Sequence, residues 1–258
     1  MKKVFILMLV VVLVAQFTGC TTKIITVATA ENPEPIRFGA KAFRVNNHLS
    51  FKDTFSIFEK NGAIWVTSDI PDNNHYLMEM NNGYFMGVDL GEFGGHCRLY
   101  EYFIDDKGEL INENNCYGLF KKDLNNGYLL AGKWNSKTTG GSELYKLTLT
   151  DDGWKSEAIA EFESTPRCTL HVPESDILFV VTWNKLLEID LMDGTVYTLC
   201  THKAIKEGGT NSIVMLNGRI YIGAAQGILE YDLETGDAVW YEPIGNNGNL
   251  YTNVEFKK

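Results

Sequence analysis

The sequence predicts an all-β fold, a five-bladed β-propeller. The prediction rests on four repeated segments, on alternation of apolar and polar residues within their strands, and on four further strands outside the repeats. Four segments share one pattern of turn, strand, second strand and turn. The last turns of these segments contain glycines 45, 41 and 42 residues apart, at Gly108, Gly153, Gly194 and Gly236. Within the strands, apolar and polar residues alternate, as in Leu229, Glu230 and Tyr231, which directs one set of side chains to a neighbouring sheet. A repeat of about 40 to 50 residues built this way is typical of propeller blades.

A β-sandwich made of hairpins is the alternative fold, because it also contains regularly spaced turns. In a sandwich the turns recur about every 8 to 12 residues without a longer self-similar period. The 41- to 45-residue spacing therefore favours the propeller.

Each repeat is interpreted as one four-stranded blade, and together the four blades occupy roughly residues 74–243. The innermost strand of each blade is an apolar stretch before the tight turn: His75–Met78, Tyr117–Phe120, Thr169–Val172 and Ser212–Leu216. The outermost strands are Glu109–Asn112, Ser156–Phe162, Thr195–Leu199 and Ala238–Tyr241.

The strands that remain predict a fifth blade of mixed origin. Three come from the N-terminal part, Ile36–Val45, Phe55–Glu59 and Ala63–Thr67, and one from the C-terminus, Leu250–Phe256. Pairing the last strand with the first three would close the ring and remove both exposed sheet edges, which otherwise invite aggregation.

Two strand-and-turn segments carry a family resemblance. The sequences GILEYDLETG, Gly227–Gly236, and LLEIDLMDG, Leu186–Gly194, resemble the repeats of WD40-like, YVTN and quinoprotein-type propellers. The resemblance covers the blades, about two thirds of the chain, and implies architecture alone, because propellers host many functions. The tryptophan-docking signatures of quinoproteins are missing, so no cofactor is expected.

The N-terminus has the layout of a secretory leader. Lys2 and Lys3 precede an apolar run, Val4–Ala15, whose 12 residues are too few to span a bilayer, which needs about 20. The following Phe17-Thr18-Gly19-Cys20 resembles the bacterial lipobox. The resemblance implies a signal peptide over residues 1–19, acylation of Cys20 and a tether over residues 20–35. An ordinary leader cleaved nearby, with Cys20 incidental, is the alternative.

These features predict an exported protein of the bacterial cell envelope, anchored to the membrane through Cys20. Because Thr21 follows the cysteine, the resemblance implies the outer membrane where the cell has one. The 258-residue chain has a net charge of −10, which becomes −12 without Lys2 and Lys3 of the leader. An acidic body is repelled by anionic headgroups and is unsuited to nucleic acid, so neither surface is expected as a ligand.

The candidate ligand site lies on one face of the propeller, where innermost strands begin and second strands end. Its predicted ligand-binding residues are polar or aromatic: His75, Glu92, His96, Lys133, Trp134, Arg167, Trp183, Asn184 and Gln226. Lys206 and Glu207 are expected on adjoining loops. Aromatic rings with amides and carboxylates suit sugars or peptides.

The glycine-rich loop Gly87–His96 contains the catalytic candidates. Asp89 and Glu92 could form a general acid and base, with His75 as a third group at the channel. A turn-rich connection with solvated acids is the other interpretation. Glycosidases require two carboxylates at a set separation, which a sequence does not supply.

Metal and disulfide chemistry receive little support. The five histidines have no HxH or HxxxH spacing, so no metal site is predicted. Besides Cys20 there are four cysteines, Cys97, Cys116, Cys168 and Cys200, which permit two disulfides in any of three pairings or four free thiols. Cys116 and Cys168 have equivalent positions in adjacent blades.

Three functions remain open. The first is a non-catalytic envelope lipoprotein whose propeller face binds a protein or glycan. The second is an extracytoplasmic saccharide hydrolase or lyase, and the third is an envelope assembly scaffold.

Overall fold

The computed structural model describes residues 36–38, 41–45, 54–67, 75–101, 107–133, 141–207, 209–225, 227–244 and 255–257. All of them belong to one compact unit, Glu34–Lys258. The predicted leader and tether, with Cys20, lie outside these residues. No helix in the described segments is long and apolar enough to cross a membrane.

The described residues form five sheets, numbered I to V along the chain. Sheet I contains β1 (Ile36–Phe38), β2 (Lys41–Val45), β3 (Ser56–Lys60) and β4 (Ala63–Thr67). Sheet II contains β5 (His75–Glu79), β6 (Gly83–Asp89), β7 (Gly95–Glu101) and β8 (Glu109–Asn112). Sheet III contains β9 (Asn115–Lys121), β10 (Asn126–Gly132), β11 (Ser142–Thr150) and β12 (Gly153–Phe162).

Sheets IV and V complete the set. Sheet IV contains β13 (Pro166–Val172), β14 (Ile177–Thr182), β15 (Leu186–Asp190) and β16 (Val196–Cys200). Sheet V contains β17 (Ser212–Leu216), β18 (Arg219–Ala224), β19 (Gly227–Asp232), β20 (Ala238–Ile244) and β21 (Glu255–Lys257). The described residues also contain one short α-helix, α1 (Lys203–Glu207), and two 3-10 helices of three residues each, Gly91–Phe93 and Pro173–Ser175.

The four predicted repeats correspond to sheets II to V. Consecutive strands are antiparallel neighbours in each, so the chain crosses every sheet from one edge to the other. The predicted innermost strands coincide with β5, β9, β13 and β17, and the predicted outermost strands with β8, β12, β16 and β20. These results confirm a propeller-like all-β fold of five sheets.

The predicted pairing of the C-terminus is corrected. The strand β21 pairs with β20, with Pro243 opposite Phe256, and so extends sheet V; it also lies beside β1 of sheet I, without ladder pairing between the two among the described residues. Sheet I has four strands of its own in the order β1-β2-β4-β3 because residues 36–45 supply two strands and not one. The pair β2–β4 is parallel, unlike the pairs within sheets II to V.

Four apolar clusters join the sheets face to face. The first packs Phe55, Ile64 and Val66 of the sheet I segment against Tyr221 and Ile228 of sheet V. The others join sheet V to IV, sheet IV to III and sheet III to II. The packing series is therefore I–V–IV–III–II. None of the four clusters, as far as the described residues extend, joins sheet I to sheet II.

The innermost strands follow the same series. The strands β5, β9, β13, β17 and β3 lie side by side in that order. The junction of sheets I and V also contains a backbone hydrogen bond, in which Phe55 N–H donates to the Ala224 carbonyl at 3.0 Å. Both faces of sheets III, IV and V are covered by neighbours, unlike the two stacked layers of a sandwich.

The segment that contains Lys206 and Glu207 forms α1 and not the expected loop. Ile205 is 2% exposed and packs into the cluster between sheets IV and V. Burial of this one apolar side chain fixes the short helix against the sheets, because five residues are too few for a helix to be stable alone.

All four described cysteines are free thiols, which agrees with one of the two predicted alternatives. Cys97, Cys116 and Cys168 are buried in the clusters, and Cys200 is half-buried. Burial raises the pKa of Cys97 to about 12, so this thiol stays protonated and unreactive at neutral pH.

Gly87 permits the close approach of sheets II and III. A Cβ atom at this position would lie 2.2 Å from the Cys116 sulfur and 2.8 Å from its Cβ. Neither Cys116 nor β6 can move away freely, because both are enclosed by the cluster that contains Phe85, Leu99 and Leu129.

We expect Gly87→Ala to lower the free energy of unfolding by about 1–3 kcal/mol through overpacking. Chemical denaturation of the full chain measures this change. Gly141→Ala is the matched control, because nothing lies within 4 Å of its added Cβ, and it is expected to change stability by less than about 0.5 kcal/mol.

A double-mutant cycle isolates the contact. Gly87→Ala combined with Cys116→Gly should be less destabilised than the sum of the two single variants. Strict additivity would show that Gly87 and Cys116 are not in contact.

Candidate functional site

One end of the sheets, here called the strand-entry face, carries the candidate site. There the innermost strands begin and the second strands end, so that His75 lies opposite Val88 and Asn115 opposite Gly132. Pro166 lies opposite Thr182 in the same way. In each of these sheets the start of the innermost strand therefore lies beside the end of the second strand.

Two β-bulges shape this face. In sheet III, Ala131 pairs with Cys116 and Leu130 with Gly118, which leaves Tyr117 as the extra residue. In sheet IV, Arg167 is the extra residue between Pro166 and Cys168. A bulge redirects the side chain of the inserted residue and is common beside functional sites. Adjacent innermost strands thus each insert one residue near their start, Tyr117 in β9 and Arg167 in β13.

Asp89 ends β6 at this face. Its Oδ1 accepts a hydrogen bond of 2.8 Å from the Gly91 N–H in the following turn. Burial raises the pKa of the Asp89 carboxyl above 3.8, and the Gly91 amide opposes that rise. Among the described residues Asp89 forms no ion pair.

The loop after Asp89 is held in place by the neighbouring sheet. The Asn115 side chain, 2% exposed, donates from Nδ2 to the Gly91 carbonyl at 2.8 Å. Its Oδ1 accepts from the Leu90 N–H at 3.3 Å. The loop glycines Gly91 and Gly94 have φ angles of 59° and 84°, which suit glycine and form the tight turn. At its tip Phe93 is 83% exposed.

Two tyrosines surround the acid. Tyr117 receives a 3.4 Å hydrogen bond at its hydroxyl from Asn115 Nδ2, and burial raises its pKa to about 12. Asp89 raises the Tyr117 pKa further, whereas Arg167 lowers it. Burial also raises the pKa of Tyr76, as do Cys116 and Asp89. Both phenols remain protonated at neutral pH and can donate hydrogen bonds beside Asp89.

Arg167 and Trp183 form a stacked pair. The guanidinium carbon lies 3.9 Å from the centre of the Trp183 ring, a close cation–π contact. Trp183 is fixed in turn, because its backbone N–H donates to Ser164 Oγ at 3.3 Å. Burial lowers the Arg167 pKa, but an arginine in water titrates so high that the side chain stays charged.

A groove of about 720 Å³ adjoins this pair between sheets III and IV. Most of the side chains that line it are polar, among them Glu161, Glu163, Ser164, Thr182, Asn184 and Thr198. Phe162 and Leu187 form its apolar floor. The turn over Thr182–Lys185 is closed by two hydrogen bonds, from the Thr182 N–H to the Lys185 carbonyl at 2.8 Å and from the Lys185 N–H to Thr182 Oγ1 at 3.2 Å.

The structure does not bring the three catalytic candidates together. His75 and His96 both lie opposite Val88 across β6, so they share the face of sheet II on which Val88 lies. Asp89 follows Val88 and therefore lies on the other face, with Gly87 and Tyr76. His75 and Glu92 are both exposed, and Glu92 lies in the turn over Gly91–Phe93.

The other predicted ligand-binding residues are distributed unevenly. Arg167, Trp183 and Asn184 lie together, whereas Lys133 is exposed at the end of β10. Trp134 and Gln226 lie outside the described residues, as does the side chain of Glu207. The sequence analysis missed Asn115, Tyr117 and Tyr76. An Asn at a strand start, opposite a glycine-rich loop, was the available signal for Asn115.

No group of three or more possible metal-ligating side chains occurs in the part of the chain that the structure describes. What the site offers is hydrogen bonding and charge. The Asp89 carboxylate can accept hydrogen bonds, and the hydroxyls of Tyr76 and Tyr117 can donate them. The Arg167 guanidinium is a planar cation beside the Trp183 ring. Such groups orient a polar ligand.

Comparison with known proteins gives only distant matches. No protein-family model matches the sequence, and no curated protein matches it. Among solved structures, a nidogen/laminin complex matches with 12% identity and a TM-score of 0.41, over 61% of this chain and 58% of that chain. A puromycin hydrolase matches with 14% identity and a TM-score of 0.39, over 75% and 39%.

A third match is the extracellular domain of a putative one-component system from B. thetaiotaomicron. It shows 15% identity and a TM-score of 0.41, over 81% of this chain and 29% of that chain. The chain thus spans less than two thirds of the length of each of these three proteins.

The raised pKa of Asp89 gives a testable titration. In a carboxyl ¹³C NMR titration, Asp89 should titrate above 3.8, whereas Asp193, whose pKa is lowered by hydrogen bonds from Thr195, should titrate below it. Because the pKa of Asp89 is higher in the folded than in the unfolded protein, protonated Asp89 adds to the free energy of unfolding. This stabilisation is lost as the pH rises through the raised pKa.

Asp89→Asn should therefore remove part of the decline in stability between about pH 4 and the raised pKa, because its amide oxygen can still accept from Gly91. Melting temperatures across this interval measure the effect. A pH profile of Asp89→Asn parallel to that of the unmodified protein would contradict a raised pKa.

Proposed function

We propose that the protein is a lipid-anchored component of the bacterial cell envelope that binds a glycan or protein ligand without transforming it. The binding site is the strand-entry face around Asp89, Tyr117, Arg167 and Trp183. The observation that carries this proposal is the pair of bulges in adjacent innermost strands that insert Tyr117 and Arg167, two side chains close enough to influence each other's pKa.

The rigidity of the site supports binding. Asn115 holds the loop after Asp89, and Ser164 holds the backbone of Trp183. A site fixed in advance loses little conformational entropy when a ligand arrives. Trp183 and the exposed Phe93 supply apolar contact area, while the charged groups of Asp89 and Arg167 fix the orientation of a bound ligand.

The arrangement of the carboxylates favours binding over glycoside hydrolysis. Hydrolysis ordinarily uses two acids that flank the scissile bond. Asp89 is half-buried at the site, but Glu92 is exposed on the turn. A saccharide hydrolase or lyase remains the second candidate, because the raised pKa of Asp89 would suit a general acid flanked by tyrosine hydroxyls.

We propose further that the five sheets close into a ring of the type seen in YVTN-like propellers. Four of the five contacts needed for closure are present as apolar clusters, in the series I–V–IV–III–II. Contact between sheets I and II would complete the ring. The innermost strands would then surround a channel whose mouth is the strand-entry face.

Binding is tested with the full-length protein in detergent, on a glycan array and in pull-downs from envelope extract. We expect Arg167→Gln and Trp183→Ala to weaken the principal interaction at least about tenfold, because each removes one half of the stacked pair. Met192→Ala is the control, since Met192 is 75% exposed at the opposite end of sheet IV, and it should bind normally.

Two outcomes would count against this proposal. Unchanged binding in both Arg167→Gln and Trp183→Ala would place the interaction elsewhere. Release of products from a bound saccharide, abolished by Asp89→Asn while binding persists, would establish the enzyme.

The anchor is tested separately at Cys20. Cells that express the full chain should incorporate radiolabelled palmitate into it, and Cys20→Ala should abolish the label and release the protein from the membrane fraction. Cys200→Ala, which alters a half-buried thiol of sheet IV, should keep the label. Labelling of the Cys20→Ala protein would exclude lipidation at Cys20.

A further inference from the structure

Three successive sheets bring an acid, a phenol and a cation to the strand-entry face. Asp89 ends β6 of sheet II, and Arg167 is the residue inserted by the bulge in β13 of sheet IV. Tyr117, inserted by the bulge in β9, belongs to sheet III, which packs between those two sheets. The strand β9 lies beside both β6 and β13. The acid and the cation are therefore separated by one sheet.

A hydrogen-bond network fixes the acid relative to the phenol. Asp89 accepts from the Gly91 N–H at 2.8 Å, and the Asn115 amide donates to the Gly91 carbonyl at 2.8 Å. The same amide nitrogen donates to the Tyr117 hydroxyl at 3.4 Å. Tyr117 is only 6% exposed, whereas Asp89 is half-buried and Arg167 is exposed. A ligand on this face therefore meets the two charged groups, with the phenol packed beneath it.

The two charges act on the same phenol but not as an ion pair. Asp89 raises the pKa of Tyr117 and Arg167 lowers it, so both lie within electrostatic range of that hydroxyl. Asp89 and Arg167 form no ion pair with each other, which means that their charged atoms are more than 4.0 Å apart. Each charge is thus left for a group of opposite sign on the ligand.

The cation is oriented for a carboxylate. Arg167 stacks on the Trp183 ring through the flat face of its guanidinium, at 3.9 Å. The N–H groups lie at the edge of a guanidinium, and the edge matches the two oxygens of a carboxylate. An ammonium group is the corresponding partner of Asp89.

The separation of the two charges limits the ligand. Neighbouring sheets pack about 10 Å apart, so groups on sheets II and IV that face across sheet III are roughly 10–15 Å apart. An extended peptide covers about 3.4 Å per residue and reaches across this distance with about three to five residues. A peptide with free ends carries one ammonium group and one carboxylate, whereas a neutral glycan carries neither.

We propose that the ligand is a short peptide with free ends, whose ammonium group pairs with Asp89 and whose terminal carboxylate pairs with Arg167. This inference rests on the proposed binding function and narrows its ligand to one class. The peptide backbone crosses sheet III between the two ends. Capture of both termini makes binding dependent on peptide length.

Calorimetry with the full-length protein in detergent tests the inference on defined probes. These are alanine peptides of two to six residues, tetraalanine acetylated at its N-terminus or amidated at its C-terminus, and chitotetraose as a neutral glycan. We expect the tightest binding among peptides of three to five residues. Each blocked end should weaken the binding of tetraalanine at least about tenfold, because one charge-assisted pair is lost.

Two variants assign the ends. Asp89→Asn should abolish the preference for a free over an acetylated N-terminus and keep the preference for a free C-terminus. Arg167→Gln should do the reverse, and Arg167→Lys should keep part of the C-terminal preference.

Arg98→Gln and Glu157→Gln are matched controls that remove the same charges elsewhere. Arg98 lies opposite Met86 across β6, on the face of sheet II that does not contain Asp89, and Glu157 is exposed on β12. Both variants should bind as the unmodified protein does. Melting curves check that every variant is folded.

A titration gives a second readout of the ammonium contact. A cation beside a carboxylate favours its ionised form, so saturating tetraalanine should lower the pKa of Asp89 in the ¹³C NMR titration. N-acetylated tetraalanine should not lower it.

The outcomes distinguish this inference from the proposed function. The inference is overturned if no alanine peptide binds, if blocked and free ends bind equally, or if each preference survives in its own variant. Tighter binding of chitotetraose than of any peptide, or an Asp89 pKa unaffected by tetraalanine, would also overturn it. If envelope glycans or proteins still bind and Trp183→Ala abolishes that binding, the proposed function stands without the peptide. If neither Trp183→Ala nor Arg167→Gln alters any interaction, both fail.

Discussion

A four-stranded sheet with apolar side chains on both faces must be covered twice, and this requirement organises the whole chain. In sheet III, Leu129 packs towards sheet II while its neighbours Tyr128 and Leu130 pack towards sheet IV. Each such side chain contributes about 1.5–3 kcal/mol when it is buried. No sheet could retain this contribution alone, so the stability of sheets III, IV and V depends on both of their neighbours. The geometry of the strand-entry face follows, because sheets packed in series bring equivalent strand ends together.

The site arises where that regularity is interrupted. In a regular strand successive side chains point to opposite faces of the sheet, and this alternation would decide the faces on which Tyr117 and Arg167 lie. The inserted residues, Tyr117 in β9 and Arg167 in β13, break this period near the start of two adjacent innermost strands. Since a bulge leaves the rest of the ladder intact, the apolar clusters on either side are preserved. The same two strands can thus serve both the core and a polar surface.

The sequence predicted the four repeated sheets closely because strand alternation and turn glycines are local signals. The strands Glu109–Asn112 and Ser212–Leu216 have the predicted bounds, and the other innermost and outermost strands of sheets II to V differ from prediction only at their ends. Sheet I was harder to predict, because its parallel pair β2–β4 joins segments that are separated in sequence. Pairing of β21 with β20 is likewise a tertiary outcome that no local pattern encodes.

The site was predicted only in part. Arg167 and Trp183, two of the predicted ligand-binding residues, are in contact, whereas Asp89 and His75 lie on opposite faces of sheet II. That separation has a physical origin, because one residue along a strand reverses the face on which a side chain lies. Tyr117 was assigned to an innermost strand, but its role depends on a bulge, and bulges have no clear sequence signature. Sequence patterns therefore predicted which strand ends lie beside one another but not which side chains meet there.

The conformation of the loop at Leu90–Gly94 depends on hydrogen bonds from the Asn115 side chain. The loop connects strands of sheet II, yet the amide that fixes it belongs to sheet III. The repeats are consequently not interchangeable modules. A duplication, deletion or exchange of one repeat during evolution would leave Phe93 and Asp89 on an unsupported hairpin, even where the new sheet packed well. Ancestral shuffling of these units would have had to carry the two sheets together as one inherited block.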